Sequence, residues 1–225
     1  MTIAERVARV QRRIQDACAG AGRSPDEVTL VAIGKTFPAH VVRAALDAGV
    51  PDLGENRAQE LREKALVITD ARWHFVGALQ TNKVRQVVGV AQLIHSVDRI
   101  GVAEAIARRA RSIGRVQDVL IEVNIGREPS KSGVDPAAVE ALADETTRLE
   151  GVRLRGLMAI PPATADPEQA RAWFRELRAL RDRLAETNGH ACELSMGMSR
   201  DLEVAVEEGA TLVRVGEAIF GPRNR

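Results

Sequence analysis

The sequence predicts a single domain over residues 1–225: a (β/α)8 barrel, the TIM-barrel architecture, with an extra helix at its N-terminus. Short apolar runs rich in β-branched residues alternate with longer stretches of helical periodicity. No linker or low-complexity segment interrupts this alternation, which is typical of parallel strands joined by helical crossovers. Eight strand signals match a closed barrel, slightly below its usual length of about 250 residues. The alternative is an open, doubly wound sheet, but no dinucleotide-binding fingerprint follows the first strand.

The first predicted element is an amphipathic helix. Its apolar residues recur at helical spacing with arginines between them, and they are Ile3, Val7, Val10 and Ile14. Gly20 and Gly22 end the pattern.

The predicted strands follow at residues 28–33, 51–53, 73–76, 92–95, 116–124, 152–158, 192–195 and 211–215. The helices predicted between them cover residues 38–49, 58–67, 83–88, 100–113, a segment from 136, 168–186 and 201–208. Pro38 and Pro136 open two of these helices, at a position where proline is well tolerated.

Composition excludes several classes of function. The 32 basic and 31 acidic side chains leave a net charge of +1, which creates no general field for nucleic acid or anionic membranes. Aromatic residues make up 3% of the chain and tyrosine is absent, so mechanisms that need a phenol are excluded. The N-terminus has no apolar signal region, no stretch reaches membrane-spanning length, and the two cysteines are far apart. We therefore expect a cytoplasmic protein with reduced thiols.

Polar side chains gather where the predicted strands end, and in a barrel these ends form the working face. They are Lys35, Asn56, His74, His95, Asn124, Ser199 and Arg214. The histidines show no metal-ligand spacing, and His40 and His190 are expected on the surface, so we expect no zinc site.

Lys35 follows the first strand in Gly34-Lys35-Thr36, which resembles the end of a phosphate-binding P-loop. The pattern requires a glycine five residues earlier, where the chain has Thr29, and the intervening residues form a strand. Two interpretations of Lys35 remain. Its stem crosses the barrel rim with the ammonium in water, or the amine is desolvated and suited to Schiff-base formation.

The last two strand ends indicate an anion site. Ser199 precedes a helix, where a serine acts as an N-cap or contributes to anion binding. Gly216 lets a ligand approach the backbone closely after the eighth strand, a common phosphate position in barrels. Arg214, between two valines, either forms a buried ion pair or presents a fixed cation to a ligand.

Taken together, eight strings resemble, in order, the pyridoxal phosphate homeostasis proteins, single-domain relatives of the N-terminal barrel of alanine racemase. They are AIGKTFP, LGENRAQE, WHFVGALQTNK, IHSVD, VNIGREPSKSG, RGLMAIPP, ELSMGMSRDLE and VRVGEAIFG, spanning residues 28–221.

This resemblance implies that Lys35 binds pyridoxal 5′-phosphate (PLP) covalently as a Schiff base. It also implies that Arg214 faces the pyridine nitrogen. The other implied cofactor-binding residues are Asn56, His74, Met158, Ser199, Gly216 and Glu217. Glu217 stands where the family often has serine or threonine; a carboxylate repels phosphate, so only its backbone amide can serve.

The resemblance further implies a carrier that holds PLP on Lys35, releases it to another amine, and supplies apo forms of PLP-dependent enzymes. We expect no catalytic residues, because a two-base racemase needs a tyrosine that this chain lacks. The alternatives are a weak PLP-dependent amino-acid racemase and a barrel without cofactor that binds a phosphosugar. Lys131 is either a surface lysine or an auxiliary amine in cofactor exchange. We expect a monomer.

Overall fold

A computed structural model describes residues 1–188 and 192–222, and His190 lies outside them. In this part of the chain, eight parallel strands close into one barrel, and each strand pairs with the next in sequence. The strands are β1 (Thr29–Ile33), β2 (Asp52–Glu55), β3 (Arg72–Phe75), β4 (Leu93–Val97), β5 (Gln117–Val123), β6 (Val152–Ala159), β7 (Glu193–Ser195) and β8 (Leu212–Val215). Pairing of β8 with β1 closes the sheet, so the barrel prediction is confirmed and the open-sheet alternative is wrong.

Helices follow the strands on the outside of the barrel. They are α1 (Ile3–Gly20), α2 (Ala39–Asp47), α3 (Ala58–Val67), α4 (Val84–Val87), α5 (Ile100–Ser112), α6 (Val139–Thr147), α7 (Arg171–Asn188), α8 (Leu202–Glu207) and α9 (Glu217–Phe220). Two of these helices differ from prediction. In place of the helix predicted over 83–88, α4 is a single turn after a 3-10 segment, and α9 lies outside the predicted helices. A helix of four residues such as α9 is too short for helical periodicity to reveal it.

The extra helix α1 begins at a capping box, in which Thr2 and Glu5 exchange backbone and side-chain hydrogen bonds. Its buried face packs against α8 and α9. Arg13 leaves this helix and donates to the backbone carbonyl oxygen of Ser199 at 3.1 Å, while Glu203 on α8 binds the same guanidinium. The N-terminal helix therefore supports the loop that follows β7.

The core has two layers. The outer layer packs the helices on the barrel, and the inner layer fills the barrel itself. The inner apolar residues are Val31, Ile33, Leu93, Leu120, Met158 and Leu212. Side chains alternate across each strand, so residues two positions from these also face the interior.

Candidate functional site

Lys35 lies at the barrel mouth, two residues beyond the end of β1. Val31 and Ile33 on that strand face the interior, and Lys35 continues their alternation past the strand. Its side chain is half-buried. The sequence therefore places this amine on the side of β1 that faces the centre of the barrel.

Residues of α3 hold the backbone on both sides of Lys35. Lys64 Nζ donates to the carbonyl oxygen of Gly34 at 2.9 Å, and Glu60 Oε2 accepts from the amide of Thr36 at 3.0 Å. Lys64 also forms a buried ion pair with Glu55, 2.5 Å away. Burial raises the pKa of Glu55 to about 7, although Lys64 opposes the shift. This ionic cluster fixes the position of the loop.

Arg214 projects into the interior of the barrel from β8, the strand next to β1. It is the register partner of Val31, and only 4% of the residue is exposed. Its Nη1 donates to Ser195 Oγ at 2.6 Å and its Nη2 to the carbonyl oxygen of Ala159 at 3.0 Å. Burial lowers the pKa of Arg214 to about 10, so the guanidinium stays charged near neutrality. The sequence allows two interpretations of Arg214, a buried ion pair and a fixed cation that faces a ligand. The hydrogen bonds of its guanidinium go to a hydroxyl and a carbonyl rather than to a glutamate.

Beyond Ser195, hydrogen bonds continue across the barrel interior. Ser195 Oγ lies 2.8 Å from His95 Nδ1, and His95 Nε2 lies 2.9 Å from His74 Nδ1. His74 Nε2 in turn lies 3.0 Å from Asp52 Oδ1. All of these residues, including Arg214 at the other end, are buried. We call Asp52, His74, His95 and Ser195 the interior chain.

Electrostatics differ between Asp52, at one end of the interior chain, and His95, within it. Burial alone would raise the pKa of Asp52, but hydrogen bonds from Arg72 and His74 outweigh it and leave that pKa lowered. Burial lowers the pKa of His95 well below its usual value, and the neighbouring His74 and Arg214 lower it further. Asp52 is therefore ionised and His95 neutral at physiological pH.

The loops after β7 and β8 meet at one hydrogen bond, from the amide of Ala218 to Ser199 Oγ at 3.2 Å. The N-cap residue of α8 is Asp201, so Ser199 does not cap that helix as the sequence suggested. Gly216 lies close to β1, since a Cβ there would be 3.2 Å from the carbonyl oxygen of Ile33. Glu217 is exposed. It lines a cavity of about 410 Å³ whose other charged residues are Arg6, Arg9, Arg13 and Arg200.

The remaining predicted site residues lie at different depths. Asn56 directly follows β2 and is half-buried, on the same face as Asp52 and therefore at the mouth. Met158 is fully buried in the inner core, and His74 belongs to the interior chain. The structure thus brings Asn56 and Lys35 to the rim and places His74 and Met158 beneath it.

Comparison with known proteins identifies the family. Residues 8–224 match the model of the alanine racemase N-terminal domain. The pyridoxal phosphate homeostasis protein of Aquifex aeolicus is 49% identical over 99% of both chains, and that of Pseudomonas aeruginosa is 44% identical over 99% of this chain and 96% of the other. The chain belongs to the pyridoxal phosphate homeostasis proteins. The resemblance inferred from the eight strings is therefore confirmed.

A solved structure similar to this chain is that of PipY from Synechococcus elongatus with PLP bound. It is 37% identical to this chain, with a TM-score of 0.86 over 98% of this chain and 100% of PipY. PipY therefore shares the fold of this homeostasis family member over 98% of the chain.

The donor set at the mouth fits PLP chemically. An aldehyde requires an amine, which Lys35 can supply, and an unprotonated ring nitrogen requires a donor, which Arg214 is. A phosphate requires hydroxyl and backbone donors such as those near Ser199 and Gly216. In the described residues no group of three or more His, Cys, Asp or Glu side chains could hold a metal ion. Nor does any helix there have the length and apolarity to cross a membrane.

Sequence reasoning missed most of the interior chain in this family member. Asp52 and Ser195 are not among the residues predicted from sequence, and His95 is among them only as a polar strand end. The available signal was the alternation of side chains along the strands: Asp52 shares the inward face of β2 with Gly54, and His74 lies on the opposite face of β3 from the apolar Trp73 and Phe75.

Proposed function

We propose that this chain binds PLP in the barrel mouth and acts in intracellular PLP homeostasis, holding the cofactor reversibly on Lys35. The observation that carries the proposal is the pairing of β1 with β8. This pairing sets a half-buried lysine just beyond the end of β1 and a buried, charged arginine on β8, both on the side that faces the barrel interior. PLP bound in the similar PipY structure supports the choice of ligand.

Lys35 would be the covalent anchor. Its ε-amine condenses with the aldehyde of PLP and one water molecule leaves. In release, an incoming amine takes the place of the lysine, which departs as a free amine. Neither step needs an oxidant, a reductant or a second cofactor, so one lysine suffices for storage and transfer.

The other residues would orient the cofactor. Arg214 has three N–H groups beyond the two that bind Ser195 and Ala159, and it can only donate. The Ser199 hydroxyl and the backbone at Gly216 and Glu217 would hold the phosphate. The exposed carboxylate of Glu217 lies among arginines, which reduces its repulsion of a nearby anion. Asn56 at the rim, with His74 and Met158 below, would complete the pocket.

The proposed role is that of a carrier rather than a catalyst. Arg214 keeps the ring nitrogen unprotonated, which weakens PLP as an electron sink. The sequence also has no tyrosine to act as a second base opposite the lysine. The carrier would deliver PLP to apo enzymes in the cytoplasm, as a monomer.

Borohydride reduction followed by peptide mapping tests the covalent anchor sharply, because the lysines of the sequence are Lys35, Lys64, Lys83 and Lys131. Lys64 is buried in its ion pair with Glu55, whereas Lys83 and Lys131 are exposed. Incubation with PLP should produce an absorption band that borohydride removes, with the label on the peptide containing Lys35.

The matched variants are Lys35→Ala and Lys83→Ala. The first should lose the reducible band and the second should keep it. An unchanged band and label yield in Lys35→Ala would refute the assignment of Lys35. A spectrum unaltered by PLP in the wild-type protein would instead favour the barrel without cofactor.

A further inference from the structure

We propose that the interior chain, Asp52, His74, His95 and Ser195, consists of positioning residues that orient Arg214 toward the ring nitrogen of bound PLP. They would do so through hydrogen bonds that all run in one direction. This inference rests on the proposed function, since it assumes that PLP occupies the mouth.

Asp52 at one end of the interior chain and Arg214 beyond the other end fix the direction of every hydrogen bond between them. An ionised Asp52 can only accept, so His74 Nε2 carries a proton and donates to it. The hydrogen bond between His95 Nε2 and His74 Nδ1 takes its direction from the contact of His95 with Ser195.

Arg214 sets the direction of the contact between Ser195 and His95. Arg214 cannot accept, so its Nη1 donates to a lone pair of Ser195 Oγ, and the serine proton remains available for His95. His95 Nδ1 accepts that proton, so the neutral His95 carries its own hydrogen on Nε2 and donates to His74 Nδ1. Ser195, His95 and His74 thus each accept one hydrogen bond and donate one. Both histidines are neutral Nε2–H tautomers.

An added proton on the histidine pair would break this pattern. His95 Nδ1 would then carry hydrogen and donate to Ser195, which already accepts from Arg214. The serine proton would lose its acceptor in a fully buried site, and an unsatisfied buried donor is costly. Hydrogen bonding in the interior chain therefore opposes protonation of His95 and keeps Ser195 as an acceptor for Arg214.

Arg214 is held at two points, its Nη1 by Ser195 and its Nη2 by the carbonyl of Ala159. Two anchors and the side-chain stem define the plane of the guanidinium, which leaves its other N–H groups pre-oriented. The further charged groups that act on this region are Glu122 on β5, Asp98 after β4 and Asp201 before α8. The Ser195 hydroxyl is the contact through which the chain reaches Arg214.

Ser195→Ala tests this role because it removes the hydroxyl and nothing else. The matched control is Ser96→Ala, at a buried serine whose Oγ has no hydrogen-bond partner in the described part of the chain. We expect Ser195→Ala to raise the PLP dissociation constant about tenfold and to shift the absorption maximum of the bound cofactor. Ser96→Ala should match wild type, and Ser195→Thr, which restores a hydroxyl, should return the affinity to within about twofold.

Nitrogen-15 NMR of the histidine rings in protein without added PLP provides an independent measurement. His74 and His95 should both be Nε2–H tautomers at neutral pH, and His95 should protonate more readily in Ser195→Ala. An Nδ1–H tautomer at His95 would overturn the inference, as would a Ser195→Ala protein whose spectrum and PLP affinity equal those of Ser96→Ala. Either result leaves the proposed function standing, whereas failure of the wild-type protein to bind PLP removes both.

Discussion

Lys64 donates a 2.9 Å hydrogen bond from α3 to the carbonyl oxygen of Gly34, the residue directly before Lys35. The same ammonium pairs with Glu55, whose second carboxylate oxygen has no hydrogen-bond partner in the described residues. One buried cation thus serves the backbone of the proposed cofactor loop and a carboxylate at the end of β2. Stability and loop geometry are coupled at this point.

Removing that cation should destabilise the protein in a pH-dependent way. In Lys64→Met, Glu55 stays buried without a counter-charge, and we expect a loss of about 3–5 kcal/mol in the free energy of unfolding at pH 8. The loss should be smaller at pH 5, because a protonated Glu55 needs no cation. Urea unfolding at both pH values measures this, with the exposed Lys83→Met as control. An equal loss at both pH values would contradict the ionic role of Lys64.

Backbone strain beside Lys35 leads to a second prediction. Thr36 has a φ angle of 71°, an unfavourable conformation for a β-branched residue, and it is exposed. Thr36→Gly should raise the free energy of unfolding by about 1 kcal/mol, because relief of strain exceeds the extra chain entropy of glycine. Thr81→Gly, at an exposed threonine without positive φ, should lower it. Loss of stability in both variants would show that Thr36 is not strained.

The sequence predicted the barrel because each crossover repeats the same local pattern, in which a short run rich in β-branched residues such as 28–33 precedes a helical segment. It predicted Lys35 and Arg214 as strand-end polar residues because parallel strands share one edge. It could not predict the pairing of Ser195 with His95, which joins residues 100 positions apart. That contact depends on how the strands tilt and stagger around the closed barrel, which no local pattern encodes.

Ser199 illustrates the same limit at the rim. A serine before a helix is a reasonable N-cap, but Asp201 stands at the cap and binds the amide of Met198. The hydroxyl of Ser199 instead joins the loop after β8, through a contact that exists only because β7 and β8 are neighbours.

The chain should not racemise amino acids by a two-base mechanism. Arg214 stays a charged donor, with a pKa of about 10, and the sequence contains no tyrosine. Protein loaded with PLP and incubated with L-alanine should produce no D-alanine by chiral chromatography, with an alanine racemase as positive control. Turnover that disappears in Lys35→Ala would contradict the carrier role and establish the racemase alternative.

Glu122 should make stability fall as pH rises from about 4.5 to about 7. It projects inward from β5 with 8% of its surface exposed; burial raises its pKa to about 7, Asp98 adds to this and Arg214 opposes it. The unfolded chain releases this proton near pH 4.5, whereas the folded chain keeps it to about pH 7. The folded state therefore binds more protons in that window, and stability decreases across it by about 3 kcal/mol.

Glu122→Gln isolates this contribution, because an amide resembles the protonated carboxyl and does not titrate. The variant should equal wild type in unfolding free energy near pH 4.5 and exceed it by about 3 kcal/mol at pH 8, measured without added PLP. Glu145→Gln, at an exposed position on α6, should run parallel to wild type throughout. If the difference between Glu122→Gln and wild type is constant across this range, Glu122 ionises normally in the folded barrel. Glu122 would then carry a full negative charge near Arg214 at neutral pH, despite its burial.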